Sequence, residues 1–310
     1  MRRILFLVAT ALIAAPLLNA CGGPAPTPTP ELPTPAPTFP MVLVDVAGNR
    51  ITIPAEPQRI ISLVPSHTEI LYALGLSEQI VGVSEYCNYP PAAAEKPKVG
   101  GFSNVDLEQV IGLRPDLVLA STLHVAEIVP ALQQRKITVY VDEPQTVQGT
   151  LLSILTIGHI TGRDAEAEAL VAAMQDRIQA VQDTVREAPR PRVFWELGAE
   201  LFTAGPGSFI NDLIVMAGGD NVAADADSPW PQLSVEAIVL HDPDVIVLAD
   251  HNYGETAEMV KSRPGWKEIR AVKEGRIVEI TDDDVMSRPG PRVVEALEFL
   301  ARALHPDLFQ

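Results

Sequence analysis

The strongest constraint on this chain is a set of residues that occurs twice, 128 positions apart. Each copy has an aromatic residue, then a glutamate six positions later, and then a Pro-Asp pair that begins seven positions after the glutamate. The members are Phe102, Glu108 and Pro115-Asp116 in the first copy, and Trp230, Glu236 and Pro243-Asp244 in the second. Both Pro-Asp pairs lead into a short apolar run. The constant offset predicts two lobes built on one plan.

Short apolar runs alternate with segments of helical periodicity through most of the chain. Runs typical of strands lie at residues 59–64, 80–84, 116–120 and 138–141, and a second series lies at 192–197, 244–248 and 276–280. Because helical segments separate the runs, each series predicts an α/β unit with a mainly parallel, Rossmann-like sheet. The predicted lobes cover residues 41–163 and 189–310. A helix is expected to open at Ser66, with Glu69 completing a capping box.

A long helical segment lies between the two series. Residues 164–187 contain neither Pro nor Gly, and apolar residues recur at helical spacing. The apolar positions are Leu170, Val171, Met174, Ile178, Val181 and Val185. At 1.5 Å per residue the helix would span on the order of 35 Å. We therefore expect one rigid connecting helix over residues 164–188, which would allow little hinge motion between the lobes.

The beginning of the chain has the features of an export signal. Arg2 and Arg3 precede an apolar stretch, and Ala20 stands directly before Cys21. This arrangement resembles the lipobox of bacterial lipoproteins, which implies cleavage of residues 1–20 and lipid on Cys21. Residues 21–40 are rich in Pro and Thr and predict a semi-rigid tether. We expect an extracytoplasmic protein that is anchored to the cell membrane by lipid.

Charge and motifs exclude several functions. With 23 Lys and Arg against 40 Asp and Glu, the net charge of −17 does not suit a nucleic-acid binder. The sequence has neither a phosphate-binding loop nor a Gly-x-Ser-x-Gly nucleophile motif, so we expect no enzyme and no catalytic residue.

The six histidines are scattered, and a zinc carrier would need His67, His124 or His251 to converge. Asp282 and Asp283 are interpreted as a solvated turn.

Two interpretations of the repeated residues remain open at this point. Glu108 and Glu236 each follow an N-cap candidate by two positions, so they either compensate a helix dipole or dock onto a basic partner. Phe102 and Trp230 lie in loops after strands, where open α/β sheets bind ligands, but each ring could also cap its own lobe. Tyr86 also follows a strand and is a further candidate ligand contact.

Three segments of the chain resemble the cluster A (class III) substrate-binding proteins of ABC importers, which take up cobalamin, ferric siderophores and haem. The segments are residues 60–69 with 74–75 and 81–83, residues 107–118, and residues 229–236, of which the last is closest to the cobalamin-binding branch. The resemblance implies that Tyr86 and Trp230 contact the ligand ring, and that Asp284 and Arg288 lie nearby in the cleft. It also implies that Glu108 and Glu236 meet arginines on the permease dimer.

The sequence departs from that branch at two positions. Phe102 stands where the branch can have Trp, and Ser121 stands where another aromatic residue can occur. We nevertheless expect a monomer that needs no cofactor, captures a corrinoid and delivers it to a permease dimer with its ATPase. A ferric-siderophore or haem binder on the same fold is the main alternative. A zinc carrier and a surface hydrolase are the alternatives from other classes.

Overall fold

The computed structural model describes residues 38–309. This part of the chain begins with an antiparallel hairpin of β1 (Met41–Val44) and β2 (Arg50–Ile53). The carboxylate of Asp45 holds the hairpin turn because it accepts hydrogen bonds from the backbone N–H groups of Ala47 and Asn49, at 3.0 and 2.8 Å. The predicted signal, Cys21 and nearly all of the tether lie outside the described residues. Within those residues, none of the helices has the length and apolar character needed to cross a membrane.

The first lobe contains a four-stranded parallel sheet with the order β4-β3-β5-β6. Its strands are β3 (Ile60–Ser62), β4 (Ile80–Val83), β5 (Leu117–Ala120) and β6 (Val139–Val141). Its helices are α1 (Pro65–Ala73), α2 (Pro91–Ala94), α3 (Leu107–Gly112) and α4 (Ile128–Gln133). All four strands predicted for this lobe are confirmed.

The second lobe repeats this plan with a parallel sheet of order β10-β9-β7-β8. Its strands are β7 (Arg192–Glu196), β8 (Asp220–Asn221), β9 (Val245–Leu248) and β10 (Ile277–Glu279). Its helices are α7 (Phe209–Met216), α8 (Val235–His241), α9 (Ala257–Ser262), α10 (Arg270–Glu274), α11 (Asp283–Ser287) and α12 (Val293–Leu304). The two-residue strand β8 was missed because neither of its residues has high strand propensity.

The repeated Pro-Asp pairs have the same structural role in both lobes. The Asp116 carboxylate accepts hydrogen bonds from the backbone N–H groups of Gln58 and Arg59, at 2.8 and 2.9 Å, where the chain enters β3. The Asp244 carboxylate accepts one from the backbone N–H of Arg192, at 2.8 Å, where β7 begins. Each aspartate therefore ties the start of one central strand to the start of its neighbour, which explains why the pair occurs at the 128-residue offset.

Two helices, α5 (Val147–Thr161) and α6 (Asp164–Val185), connect the two sheets along the chain. They pack tightly at Gly158, where a Cβ would come within 2.4 Å of the Ala167 side chain. The predicted long helix is present in α6. The side chains of Arg177 on α6 and Glu298 on α12 form a two-bond ion pair at 2.8 and 3.0 Å. The connecting helix is thus fixed to a helix of the second lobe.

Alternate residues of the central strands enter different apolar clusters, so both faces of each sheet are packed. Leu117 and Leu119 of β5 lie in the largest cluster, whereas Val118 and Ala120 lie in another. The largest cluster also contains one face of the second sheet and the buried side of α6, whose members are Val171, Met174, Ile178, Val181 and Val185. One continuous apolar core therefore joins both lobes through α6.

The start of α1 differs from the predicted capping box. The N-cap residue is Val64, Pro65 takes the first helical position, and no side chain caps the helix. Proline suits that position because its missing N–H would have no partner within the helix. Ser66 and Glu69 are consequently buried inside the helix rather than placed at its end. The Glu69 side chain makes contacts in the second lobe instead.

Candidate functional site

Tyr86 and Phe102 form one aromatic surface in the first lobe. Their rings stack with centroids 4.5 Å apart and planes only 9° from parallel. The stack depends on Gly100 and Gly101. Gly100 has a φ of +92°, and a Cβ on Gly101 would lie 3.3 Å from Cε2 of Tyr86. Tyr86 remains 51% exposed, so the stack offers a ring to a ligand.

Trp230 is the matching exposed aromatic residue of the second lobe. It is 49% exposed and lies between Pro229 and Pro231, whose carbonyl oxygens accept hydrogen bonds from the backbone N–H groups of Gly205 and Thr203, both at 2.9 Å. These bonds fix the loop while leaving the indole accessible. Within residues 38–309 Trp230 does not stack on Tyr86 or Phe102. Its role as the opposing ring stays a prediction.

A polar cluster links the two lobes beside Tyr86, whose backbone oxygen accepts a hydrogen bond from Arg288 at 3.2 Å. Asn88 of the first lobe donates a hydrogen bond to the Asp284 carboxylate at 2.8 Å and accepts one from Arg288 at the same distance. Arg288 also donates to Glu69 at 3.1 Å and pairs with Asp284 at 2.6 Å. The structure therefore brings together Asp284 and Arg288, two of the predicted ligand contacts. Both side chains also form hydrogen bonds with residues of the first lobe, Asp284 with Asn88 and Arg288 with Glu69.

Glu69 and Arg292 complete the cluster and were missed as functional residues. Glu69 is only 4% exposed and accepts two hydrogen bonds from Arg292, at 2.7 and 2.9 Å. Arg292 lies 4.0 Å from the centre of the Tyr89 ring, a cation–π contact. The bonds to Glu69 raise the pKa of Arg292 above its ordinary value. The sequence does contain a signal for this pair. Glu69 lies near the start of a helix whose other residues suit burial, and a buried charge needs a partner of opposite charge.

Three carboxylates lie at the carboxyl edge of the second sheet, of which Glu196 and Asp250 are buried and Glu255 is partly buried. Oxygens of Glu196, Asp250 and Glu255 lie within 4.8 Å of one another. Arg263 donates to Glu196 at 2.8 Å and pairs with Glu255 at 3.0 Å. Burial raises the pKa of Glu196 and of Asp250. Hard cations prefer such oxygens, but the guanidinium of Arg263 already offsets part of this charge, so we interpret the group as structural.

The predicted docking glutamates lie in equivalent places in the two lobes. The Asp106 side chain caps α3 through the Gln109 N–H at 3.0 Å, and the Ser234 hydroxyl caps α8 through the Ala237 N–H at 3.1 Å. Both predicted caps are confirmed. Glu108 and Glu236 therefore occupy the first turns of these helices, and both are exposed. Their contact with a permease stays a prediction.

Other residues singled out in the sequence have structural partners. His67 pairs with Asp142 at 3.5 Å, His124 accepts a bond from the Ser121 N–H at 3.0 Å, and His251 lies in the other lobe. Among residues 38–309 these histidines do not form a metal-binding group. Asp282 and Asp283 do not form the expected solvated turn, because Asp282 caps α11 and Asp283 is its first residue. Cys87 is buried.

A cavity of about 990 Å³ lies away from Tyr86, Phe102 and Trp230, none of which lines it. Its lining includes Arg190 and Pro191, which precede β7, and Asp244, which precedes β9. Parallel α/β sheets bind their ligands at the opposite, carboxyl edge. A smaller cavity of about 210 Å³ does lie at that edge, beside α11.

Comparison with known proteins identifies the relatives of this chain. Residues 60–283 match the family model of the periplasmic binding proteins. An uncharacterized ABC transporter substrate-binding lipoprotein of Bacillus subtilis is 37% identical, with 97% of each chain covered. A cobalamin-binding protein of Halobacterium salinarum is 37% identical over 86% of this chain and 75% of its own.

Two solved structures have the same fold. A periplasmic vitamin B12-binding protein of Vibrio cholerae gives a TM-score of 0.71 at 28% identity, covering 82% of this chain and 99% of its own. A periplasmic haem-binding protein of Roseiflexus gives the same TM-score at 27% identity, with the same two coverages. The backbone fold therefore does not distinguish a corrinoid from a haem binder.

Proposed function

We propose that this chain, which belongs to the periplasmic binding protein family, captures a corrinoid outside the cytoplasm and delivers it to an ABC importer. Cobalamin is the corrinoid that we favour. Its homologues are substrate-binding transport proteins rather than enzymes. We further propose that the protein is a monomer held to the membrane by lipid on Cys21, and that its partner is a permease dimer with its ATPase.

The observation that carries this proposal is that each lobe has an exposed aromatic surface, and that the Tyr86–Phe102 stack lies beside the lobe-linking cluster. Tyr86, backed by Phe102, and Trp230 are each about half exposed and fixed by their surroundings. A flat macrocycle that covered on the order of 200 Å² of these rings would gain about 5 kcal/mol before the cost of association. Small polar ligands would not gain from such a surface.

Sequence similarity supports a corrinoid over haem. The relative named as a cobalamin-binding protein is more similar to this chain than the haem-binding structure is, at 37% against 27% identity. A ferric siderophore would need an accessible arginine to face its anionic oxygens. Arg288, the predicted candidate, has a side chain only 11% exposed and already pairs with Glu69 and Asp284.

Haem is the second candidate, and one residue supports it. The exposed ring of Tyr86 carries a hydroxyl that could act as an axial iron ligand. By residue type, His67 and His251 could also serve as axial ligands. His67 is buried at 1% exposure and lies beside Asp142. His251 is partly exposed, but its Nδ1 lies 3.0 Å from the Glu255 backbone oxygen. The haem alternative therefore depends mainly on Tyr86.

Calorimetric titration of the purified protein with cyanocobalamin tests the proposal. We expect saturable one-to-one binding that Trp230→Ala weakens at least 10-fold. Trp266→Ala is not a suitable control because Trp266 is a core residue, so we choose Phe299→Ala, which removes an exposed ring on α12. Absence of binding by the unmodified protein, together with tight binding of haem, would replace the corrinoid by the second candidate.

A further inference from the structure

The cavity of about 210 Å³ at the carboxyl edge of the second sheet has both apolar and polar walls. It is lined by Trp195, Leu197, Ile210, Ala249, Tyr253, Ile280, Asp283, Met286 and Ser287. These residues lie in β7 and α11 or follow β7, β9 and β10, with Ile210 on α7. Asp284 and Arg288 of the lobe-linking cluster are on the same α11 segment. The cavity therefore adjoins the region to which we assign the ligand.

Two polar atoms of this lining have no hydrogen-bond partner within residues 38–309. One is Nε1 of Trp195, whose side chain is 1% exposed, and the other is Oδ1 of Asp283. An unsatisfied buried polar atom costs free energy, so native proteins leave few of them without a role. The Ser287 hydroxyl does not serve Asp283 Oδ1, because it donates to the Asp283 backbone oxygen at 2.6 Å.

The two atoms offer one donor and one acceptor. The indole N–H can only donate, and an ionised carboxylate can only accept. A primary amide supplies the complementary pair, since its oxygen accepts and its nitrogen donates. A carboxylate would satisfy Trp195 but would be repelled by Asp283, whereas the charge of the neighbouring Asp284 is offset by Arg288. An ammonium group would satisfy Asp283 but would leave the indole N–H without an acceptor.

We propose that this cavity is a subsite for a primary amide side chain of the ligand, with Trp195 and Asp283 as the residues that select it. This inference rests on the proposed function, since corrinoids carry several amide side chains around the macrocycle. The volume agrees with the assignment. At about 30 Å³ per water in the liquid, 210 Å³ accommodates a short side chain but not the macrocycle itself.

The test compares cyanocobalamin with its monocarboxylic acids, in which one peripheral amide is hydrolysed. We expect the unmodified protein to bind at least one of these acids 10-fold or more weakly than cyanocobalamin. Asp283→Asn should reduce this preference to less than about 3-fold, because the repulsion of the acid is removed. Trp195→Phe should weaken cyanocobalamin binding about 5- to 10-fold, as expected for one lost hydrogen bond.

Matched controls are Asp176→Asn, which neutralises an exposed carboxylate on α6, and Trp266→Phe, which alters a buried indole in another apolar cluster. Both should leave affinity and preference unchanged. If cyanocobalamin binds but neither Asp283→Asn nor Trp195→Phe changes affinity or preference, this inference is wrong while the proposed function stands. If the unmodified protein retains no corrinoid, both are wrong.

Discussion

Arg292 donates two hydrogen bonds to Glu69, from Nε to Oε2 at 2.9 Å and from Nη2 to Oε1 at 2.7 Å, although the residues are 223 positions apart. Glu69 belongs to α1 in the first lobe, and Arg292 is the N-cap residue of α12 in the second. Arg288 adds a third bond to the same carboxylate. The charge of Glu69 therefore holds two arginines of the opposite lobe in place.

Glu69→Gln should lower the free energy of unfolding by about 3 kcal/mol, because it leaves two largely buried guanidinium groups without their shared counter-charge. Urea denaturation at neutral pH measures the change. Glu168→Gln, an exposed position on α6, is the control and should change stability by less than about 0.5 kcal/mol. If both variants unfold at the same urea concentration, the stability of the protein does not depend on the pairing of Glu69 with these arginines.

Asp250→Asn should stabilise the protein at pH 8, by about 1 kcal/mol. Burial raises the pKa of Asp250, so the folded state disfavours its charge. The stability contributed by protonated Asp250 is fully present below the pKa of about 3.9 that the residue has in the unfolded state. It is lost as the pH rises through the higher pKa of the folded state. Thermal unfolding from pH 4 to 8 should show a smaller loss of stability with rising pH in the variant. An unchanged pH dependence would contradict this.

Asp244→Asn should have the opposite effect. Burial alone would raise the pKa of Asp244, but hydrogen bonds from Arg192 and the charges of Arg192 and Arg270 outweigh it, and the pKa is lowered. The stabilisation is therefore present above about pH 4 and is lost as the pH falls through the folded pKa. The same unfolding series should show a loss of about 1–2 kcal/mol at pH 7 that shrinks towards pH 3. A loss that stays constant with pH would contradict the assignment.

The double charge reversal Glu108→Lys with Glu236→Lys should abolish uptake by cells that contain the cognate permease, while cyanocobalamin binding stays unchanged. Both residues are exposed and lie in helix first turns, away from the lobe-linking contacts described above. Reversal of Glu168 and Asp176 on α6 controls for the change in net charge and should leave uptake intact. Loss of ligand binding in the first variant would show that these glutamates serve the cleft rather than docking.

Tyr86 separates the two candidate ligands. Tyr86→Phe keeps the ring that stacks on Phe102 and should bind cyanocobalamin within about 2-fold of the unmodified protein. Tyr86→Ala removes the ring and should weaken binding about 10-fold. Calorimetry on both variants measures this. If Tyr86→Phe instead abolishes haem binding, seen as loss of the Soret shift, the hydroxyl is an axial ligand and the second candidate is correct.

The repeated architecture could be predicted because it depends on local signals. The apolar strands and the caps at Asp106 and Ser234 are each specified by neighbouring residues. The Pro-Asp pairs could be recognised because they repeat, although each Asp bonds to a distant strand. The lobe-linking cluster could not be predicted in the same way. Asn88 and Asp284 are 196 positions apart, and nothing near either residue identifies the other as its partner.

Two short sequence patterns were each compatible with more than one local structure. Ser66 to Glu69 fits a capping box, but Pro65 takes the first helical position and moves Glu69 into the helix interior. Asp282 and Asp283 fit a solvated turn, but they open α11 instead. The first outcome follows from Pro65, which suits the first helical position, and in the second the Asp282 side chain caps the helix through the Val285 N–H.

Corrinoid capture is tested most directly by offering the purified protein equimolar cyanocobalamin, haem and ferric siderophore together, desalting the mixture and recording its absorption spectrum. We predict that the corrin bands are retained at about one equivalent per protein and that haem and siderophore absorbance is removed. Retention of an iron complex with loss of the corrin bands would contradict the account.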